Sequence, residues 1–257
     1  MGVVNVTPDS FSDGGLYLDP EAAIAHGEEL AMAGAKILDV GGESTRPGAA
    51  PVDPVVERQR TEPVVAELAA TGHLVSVDTS KASVAAAALD AGAEIVNDVT
   101  ALRGDPEIAG LCAERGATVI LMHMLGTPRT MRDEPRYQDV VEDVKGFLAG
   151  RVEAATAAGI AAERIWLDPG IGFGKTTEHN LELLRRLGEL RALGRPLVIG
   201  TSRKSFIGKL DGSDAEDRLG GTIASSVLAA AQGAEVLRVH DVAEVGQAMA
   251  VAGAILG

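Results

Sequence analysis

The chain is 257 residues long, and 46% of its residues are hydrophobic but only 3% are aromatic, so aliphatic side chains must build the core of one large domain. Its formal net charge of −14 argues against nucleic acids and anionic membranes as partners, because their phosphate groups carry the same sign of charge. No apolar run reaches transmembrane length, and no signal-peptide pattern opens the chain. The single cysteine, Cys112, excludes an intramolecular disulfide, so we expect a cytoplasmic protein.

Short apolar runs alternate with amphipathic stretches along the whole chain. The runs are continuous, which is typical of parallel strands that are buried on both faces. The predicted strands lie at residues 3–5, 36–40, 74–78, 94–98, 118–123, 164–168, 196–200 and 235–240. The predicted helices lie at residues 20–33, 54–70, 81–91, 106–115, 138–158, 178–192, 216–231 and 241–255.

This alternation predicts a single (β/α)8 TIM barrel domain over residues 1–257, because eight units give about 32 residues each, the size of one barrel repeat. A doubly wound open sheet is the alternative, but the first turn, NVTPDSFSDGG, lacks the G-x-G-x-x-G fingerprint of nucleotide-binding sheets. Two predicted strand-to-helix loops, residues 7–19 and 41–53, exceed the roughly 2–6 residues usual in such units. We expect them to be binding loops.

Polar residues stand at the end of nearly every predicted strand, where the active face of a barrel lies. They are Asn5, Asp39, Asp78, Asn97, His123, Asp168, residues 202–205, Arg238 and His240. Any one of them has a structural explanation: Asp78 is placed to cap the helix near Lys81, and His123 fits a hydrogen-bonded core histidine. A polar group at each end of otherwise apolar runs is better explained by one shared site, since unpaired burial of polar groups is costly.

The chemistry of these residues suits a small anionic ligand. A polar heterocycle would find donors and acceptors on Asp78, Asn97, Asp168 and Lys204. Phosphate groups would find positive charge on Arg46, Arg203, Arg238 and His240. Asn5, with nearby carboxylates, is suited to Mg²⁺, which takes few protein oxygens together with substrate phosphate oxygens.

Several other chemistries lack their motifs. Cys112 lies in a helical pattern and is predicted to be a buried apolar residue rather than a nucleophile. The segment PGIGFGKTT, residues 169–177, is close to a P-loop, but Pro169 stands where that motif requires glycine. Its glycines are instead predicted to form a tight turn that lets a flat ligand approach the backbone beside Phe173.

Long motifs, spread in order from Met1 to Val242, resemble the dihydropteroate synthases. They are MGVVNVTPDSFSDGG, ILDVGGESTRPGA, VSVDTSK, IVNDV, LMHMLGTPRTM, WLDPGIGFGKTTEHNLELL, PLVIGTSRKSFIGKL, RLGGTIAS and LRVHDV. The pterin-binding domains of corrinoid methyltransferases share the barrel and parts of these motifs, so such a binding module, or an inactive paralogue, is the alternative. A structural barrel without a ligand is the third possibility.

The resemblance implies a transferase of folate biosynthesis. Such an enzyme joins 7,8-dihydropterin-6-ylmethyl diphosphate to p-aminobenzoate, with Mg²⁺ and an anion pocket helping diphosphate to depart before the arylamine attacks. The pterin would be bound by Asp78, Asn97, Asp168 and Lys204, and the diphosphate and Mg²⁺ by Asn5, Arg238 and His240. The p-aminobenzoate site would be formed by Thr45, Arg46, Pro47, Phe173, Lys204 and Ser205. Asp78, Lys204, Arg238 and His240 are therefore the predicted catalytic residues, whereas Asp39 and His123 receive no role.

Further expectations follow from the same resemblance. Asp9, Ser10, Phe11 and Asp13 belong to a first loop that closes late over the site. The enzyme would be a homodimer, as members of this family commonly are. It would also be a sulfonamide target, because its loops carry no obvious insertion of the kind found in sulfonamide-insensitive relatives.

Overall fold

The computed structural model describes residues 1–7, 19–45, 48–126 and 135–256. The strands of this part of the chain are β1 Gly2–Asn5, β2 Leu38–Gly41, β3 Val75–Asp78, β4 Ile95–Asp98, β5 Thr118–Met122, β6 Ile165–Asp168, β7 Val198–Ile199 and β8 Val236–Leu237. Its α-helices are α1 Pro20–Met32, α2 Pro54–Ala70, α3 Ala82–Asp90, α4 Ile108–Arg115, α5 Val140–Ala157, α6 Thr177–Arg185, α7 Ser205–Asp211, α8 Leu219–Ala231 and α9 Val242–Leu256. Short 3-10 helices occupy Ala162–Arg164, Leu187–Leu193 and Ala215–Asp217.

The eight strands form a closed ring. β1 to β6 pair in chain order, all parallel, and β7 pairs with β8. Parallel bridges join the two groups at both sides, Leu167 with Leu197 and Gly2 with Val239. This closure confirms the predicted (β/α)8 barrel and rules out the open sheet, which would leave two unpaired edges.

The apolar core has two layers. Inside the ring, Ile37, Ile95, Ile120 and Val198 form one buried cluster with residues such as Trp166 packed against it. A larger cluster of mainly Val, Leu, Ile and Ala lies between the strands and the surrounding helices. Aliphatic side chains fill both layers, as the low aromatic content predicts, so the barrel is a packed core with its open space at one end.

Helix boundaries follow the local sequence. α1 and α2 each begin with a proline that follows a capping aspartate. The Asp19 carboxylate accepts from the Glu21 N–H, and the Asp53 carboxylate accepts from the Val55 N–H. The predicted helix over 178–192 is wrong at its end, because α6 stops at Arg185 and a 3-10 helix containing Gly188, a weak helix former, follows. The predicted helix over 216–231 begins later, at Leu219, after a separate 3-10 turn.

Cys112 is fully buried in α4, and burial raises the pKa of its thiol to about 12, so it is the apolar residue that the pattern predicts. Among the helices of the described ranges, none is both long enough and apolar enough to cross a bilayer.

Candidate active site

A cavity of about 480 Å³ lies at the carboxyl ends of the strands. Every predicted site residue within the described ranges lines it: Asn5, Thr45, Asp78, Asn97, Asp168, Phe173, Lys204, Ser205, Arg238 and His240. The remaining predicted residues, Arg46 and Pro47 with Asp9, Ser10, Phe11 and Asp13 of the first loop, lie outside the described residues. The barrel therefore collects into one place residues that are up to 235 positions apart, from Asn5 to His240.

The Arg238 guanidinium joins three strands across the mouth of the barrel. It follows β8 directly, and its Nε donates to Asp39 Oδ2 at 2.6 Å while Nη2 donates to Asp78 Oδ2 at 2.9 Å. Burial lowers the pKa of Arg238, but the charges of Asp39 and Asp78 raise it by more. The net shift is upward, so the side chain stays charged. Arg238 thus enters the site already paired, with its orientation fixed by two carboxylates.

Asp39 is one of the two residues, with His123, to which the sequence assigned no role. It was expected at a strand end, but it lies inside β2 and is fully buried. Its Oδ2 accepts a second hydrogen bond, from Asn97 Nδ2 at 3.0 Å. Since the Asn97 amide nitrogen is used in this way, the Asn97 carbonyl oxygen is the atom that remains to accept from a ligand. A carboxylate within an otherwise apolar strand was the available signal for this role.

Asp78 and Asp168 are buried carboxylates in the cavity wall. Burial raises the pKa of Asp78 to about 8, against the opposing charge of Arg238, and the nearby Asp39 carboxylate adds to the rise. Burial is the main cause of this shift, and the Asp39 contribution arises because two carboxylates that share one guanidinium cannot both ionise without cost. Burial also raises the pKa of Asp168, against the opposing charge of Lys204.

The helix-capping interpretation of Asp78 is wrong. α3 begins at Ala82, and its first free backbone N–H donates to Asp105 Oδ2 at 2.9 Å. Asp78 instead ends β3 opposite Asn97 of β4, which places the two side chains on neighbouring strands of the same cavity.

Lys204 precedes α7 and faces the loop between β6 and α6. Its Nζ donates to the carbonyl of Ile171 and lies 4.8 Å from the centre of the Phe173 ring, a cation–π distance. Burial lowers the pKa of Lys204 to about 8, although Asp168 opposes the shift. A lysine with a reduced pKa, beside a buried carboxylate and an aromatic face, is suited to hydrogen bonding with a flat heterocycle.

His240 and Arg203 are held by neighbours. Ser202 Oγ accepts from the backbone N–H of His240 at 3.2 Å and lies 3.0 Å from His240 Nδ1. Arg203, which was considered as a phosphate ligand, forms a two-point ion pair with Asp241, and its backbone has the unusual φ of 55°. Of the four Lys and Arg side chains that line the cavity in the described ranges, Arg203 and Arg238 are thus paired with carboxylates. The other two, Lys204 and Arg218, donate to backbone carbonyls.

A second ionic cluster supports the start of the second long loop. Lys81 Nζ pairs with Glu43, which lines the cavity, and with the buried Glu57 of α2. Glu57 also accepts from Thr79 Oγ1 at 2.7 Å, and Glu43 accepts from the Val52 N–H at 3.2 Å. Sequence reasoning missed this cluster, as it missed Asp214 and Arg218 in the cavity wall, because these residues lie outside the strand ends.

Comparison with known proteins agrees with this site. The family model described as pterin binding enzyme matches residues 1–240. The dihydropteroate synthase of Neisseria meningitidis serogroup C is 50% identical over 246 residues, covering 94% of this chain and 87% of that protein. The chain belongs to the dihydropteroate synthase family.

Solved structures of dihydropteroate synthases have the same fold. The Yersinia pestis enzyme, solved with a sulfonamide drug complex, has a TM-score of 0.97 at 45% identity, covering 100% of this chain and 93% of that one. The Xanthomonas albilineans enzyme, solved with 4-aminobenzoic acid, has a TM-score of 0.93 at 49% identity, covering 100% of this chain and 92% of that one.

Asp78→Asn tests the titration of the carboxylates around Arg238. With a pKa of about 8 in the folded protein, Asp78 holds a proton that the unfolded chain has released above about pH 4. The free energy of unfolding of the natural protein should therefore fall, relative to that of Asp78→Asn, as the pH rises from about 4 to about 8, and the difference should be level outside this window. Urea denaturation at stepped pH measures it, and a difference that is constant across the window contradicts the raised pKa.

Proposed function

We propose that this dihydropteroate synthase is Mg²⁺-dependent and condenses 7,8-dihydropterin-6-ylmethyl diphosphate with p-aminobenzoate. The bond between the pterin methylene carbon and the diphosphate oxygen breaks, a bond from that carbon to the arylamine nitrogen forms, and the amine loses a proton. The observation that carries the proposal is the single cavity in which all the described residues of the expected substrate sites meet.

The pterin end of the cavity is assigned by its donors and acceptors. The carbonyl oxygen of Asn97 and the carboxylates of Asp78 and Asp168 would accept from the ring N–H and amino groups, and Lys204 Nζ would donate to a ring oxygen or nitrogen. Because Asp39 fixes Asn97 and Arg238 fixes Asp78, these acceptors stand in place before the ligand arrives. Such preorganisation reduces the ordering cost of binding.

Charge balance in the cavity favours a metal ion with the diphosphate. The described charged residues of the wall are four acidic ones and four basic ones, namely Glu43, Asp78, Asp168 and Asp214 against Arg203, Lys204, Arg218 and Arg238. With Asp78 protonated, as its pKa of about 8 implies near neutral pH, these groups leave one positive charge in excess, which does not by itself neutralise a diphosphate. When bound, Mg²⁺ would supply the missing positive charge to the departing diphosphate.

The cavity offers one side-chain oxygen that suits such an ion. Asn5, at the end of β1, offers one amide oxygen to the cavity. Among the described residues no cluster of three or more His, Cys, Asp or Glu is arranged to hold a metal. A single protein oxygen matches Mg²⁺, which commonly completes its shell with substrate oxygens and water. We therefore propose that Asn5 holds Mg²⁺ only together with the diphosphate, near Arg238 and His240.

The p-aminobenzoate site is proposed at the side of the cavity formed by Phe173, Lys204 and Ser205. Thr45 lines the same cavity from the second loop, whose next residues are Arg46 and Pro47. The arylamine is itself the nucleophile, so the chain needs to bind and orient two substrates and to stabilise a leaving group. Homodimer formation and a cytoplasmic location remain predictions from the sequence and its resemblance.

The activity itself is the first test. Purified protein with both substrates and Mg²⁺ should form dihydropteroate and diphosphate, and chelation of the metal should abolish turnover.

Lys204→Met should reduce kcat/KM by roughly 10- to 100-fold, as expected for the loss of a charged hydrogen bond of about 1.5–3 kcal/mol. Lys209→Met, on the exposed side of α7, is the matched control and should keep full activity.

Two results would count against this proposal. Absence of dihydropteroate under these conditions contradicts the reaction. Binding of the pterin diphosphate that calorimetry finds unaffected by Mg²⁺, with no turnover, would instead favour a pterin-binding module.

Inhibition by sulfonamides tests the second substrate site. A sulfonamide carries an arylamine like that of p-aminobenzoate, so it should compete with p-aminobenzoate and raise its KM without changing kcat at saturation. Steady-state kinetics at several sulfonamide concentrations measures this pattern. An enzyme that keeps full activity under a large excess of sulfonamide over p-aminobenzoate would show that the site differs from the proposed one.

A further inference from the structure

The loop between β6 and α6, residues 169–176, packs backbone against backbone on the end of β5. Gly170 and Gly174 have φ of 68° and 63°, which favours glycine. A Cβ on Gly170 would lie 1.9 Å from the carbonyl oxygen of His123, and one on Gly174 would lie 2.7 Å from that of Leu125. The loop can approach β5 this closely only because glycine stands at both positions.

Lys175 completes this loop from within. Its side chain is buried, and Nζ lies 2.9 Å from the Gly170 carbonyl, 3.0 Å from the Phe173 carbonyl and 2.9 Å from His123 Nδ1. Burial lowers the pKa of Lys175 well below its usual range, and burial together with Lys175 lowers the pKa of His123 to about 3. His123 is therefore neutral, and Nζ can donate to both loop carbonyls whether it carries two or three protons.

Other polar contacts hold the remaining groups of the same loop. Asp168 Oδ1 accepts from the Gly170 N–H at 2.6 Å, Asn180 Oδ1 accepts from the Gly172 N–H at 2.7 Å, and Tyr137 donates to the Gly174 carbonyl at 2.8 Å. Gly172 and Phe173 line the cavity, whereas Lys175 and His123 do not. Lys175 thus supports the wall of the site from behind.

We propose that Lys175 is a positioning residue that holds Phe173 as the wall against which p-aminobenzoate packs, an inference that rests on the proposed function. The lysine of GFGKT is therefore not a phosphate ligand of the P-loop kind, because its Nζ is enclosed by loop carbonyls and His123. Without Nζ, the carbonyls of Gly170 and Phe173 each lose a donor. The Gly170 carbonyl keeps the Phe173 N–H at 3.1 Å, so the relaxation is expected at the Phe173 carbonyl. A displacement of a binding wall by about 1 Å is enough for a large kinetic effect.

Lys175→Met, which keeps the length of the side chain but removes Nζ, tests this role. We expect the KM for p-aminobenzoate to rise about tenfold and the KM for the pterin diphosphate to change by less than about twofold. A double-mutant cycle with Phe173→Ala decides whether Lys175 acts through Phe173. In the Phe173→Ala background, Lys175→Met should have almost no further effect on the KM for p-aminobenzoate.

Controls separate positioning from stability. Leu30→Ala, in the buried face of α1 near the other end of the barrel, should lower the melting temperature without changing either KM. If Lys175→Met does not fold, Lys175→Gln, whose amide keeps two N–H donors without charge, enters the same cycle and should give a smaller rise in the same KM.

The outcomes distinguish this inference from the proposed function. A folded Lys175 variant with an unchanged KM for p-aminobenzoate, or effects of Lys175→Met and Phe173→Ala that simply multiply, would overturn the positioning role while leaving the reaction intact. A natural enzyme that forms no dihydropteroate would contradict the proposed function, and the inference would fall with it.

Discussion

The site depends on one interaction, the Arg238 guanidinium shared by the carboxylates of Asp39 and Asp78. Arg238 directly follows β8, Asp39 and Asp78 belong to β2 and β3, and Asn97 of β4 joins them through Asp39. In a poorly solvated barrel mouth an isolated charge would be very costly, so each charge there must have a partner. The pairs that satisfy this requirement also fix the positions of the groups that face the ligand.

This pairing limits the positive charge that the site can offer to an anionic ligand. Arg238 and Arg203 are each bound to carboxylates, and Lys204 donates to a backbone carbonyl, so little positive charge is available without rearrangement or addition. Breaking a buried pair by removing one partner leaves an uncompensated charge, which is why such clusters resist substitution. In the proposed function, a metal ion that arrives with the diphosphate would supply charge without breaking any of these pairs. The buried amine of Lys175 is likewise paired, since it donates to the carbonyls of Gly170 and Phe173.

The sequence predicted the barrel well because strand burial and helix capping are local properties. The eight apolar runs fall on the eight strands, and the predicted helix over 54–70 matches α2 at both ends, where Asp53 caps and Pro54 begins the helix. The collection of polar strand ends into one cavity was also predictable, since parallel strands of a barrel end on the same face.

Pairing between distant side chains was not predictable. Asp39 is visible in the sequence as a charge inside an apolar strand, but its partners lie 58 and 199 residues away. Likewise His123 suggested a core histidine, whereas its contact with Lys175, 52 residues on, shows what it supports. Glu57 lies on a helix face that the pattern assigns only as amphipathic. The roles of these residues depend on contacts between side chains that are far apart in the sequence, and the hydrophobic periodicity of the sequence does not reveal such contacts.

The most direct test of this account is the affinity of Asp39→Asn for the pterin diphosphate, measured by calorimetry with Mg²⁺ present. Asp39 does not line the cavity, so it influences the ligand through its neighbours, by fixing Asn97 and Arg238 and by raising the pKa of Asp78. We expect the folded variant to bind the pterin diphosphate at least about tenfold more weakly, because one misplaced charged hydrogen bond costs about 1.5–3 kcal/mol. A folded Asp39→Asn protein that binds the pterin diphosphate as tightly as the natural protein would contradict it.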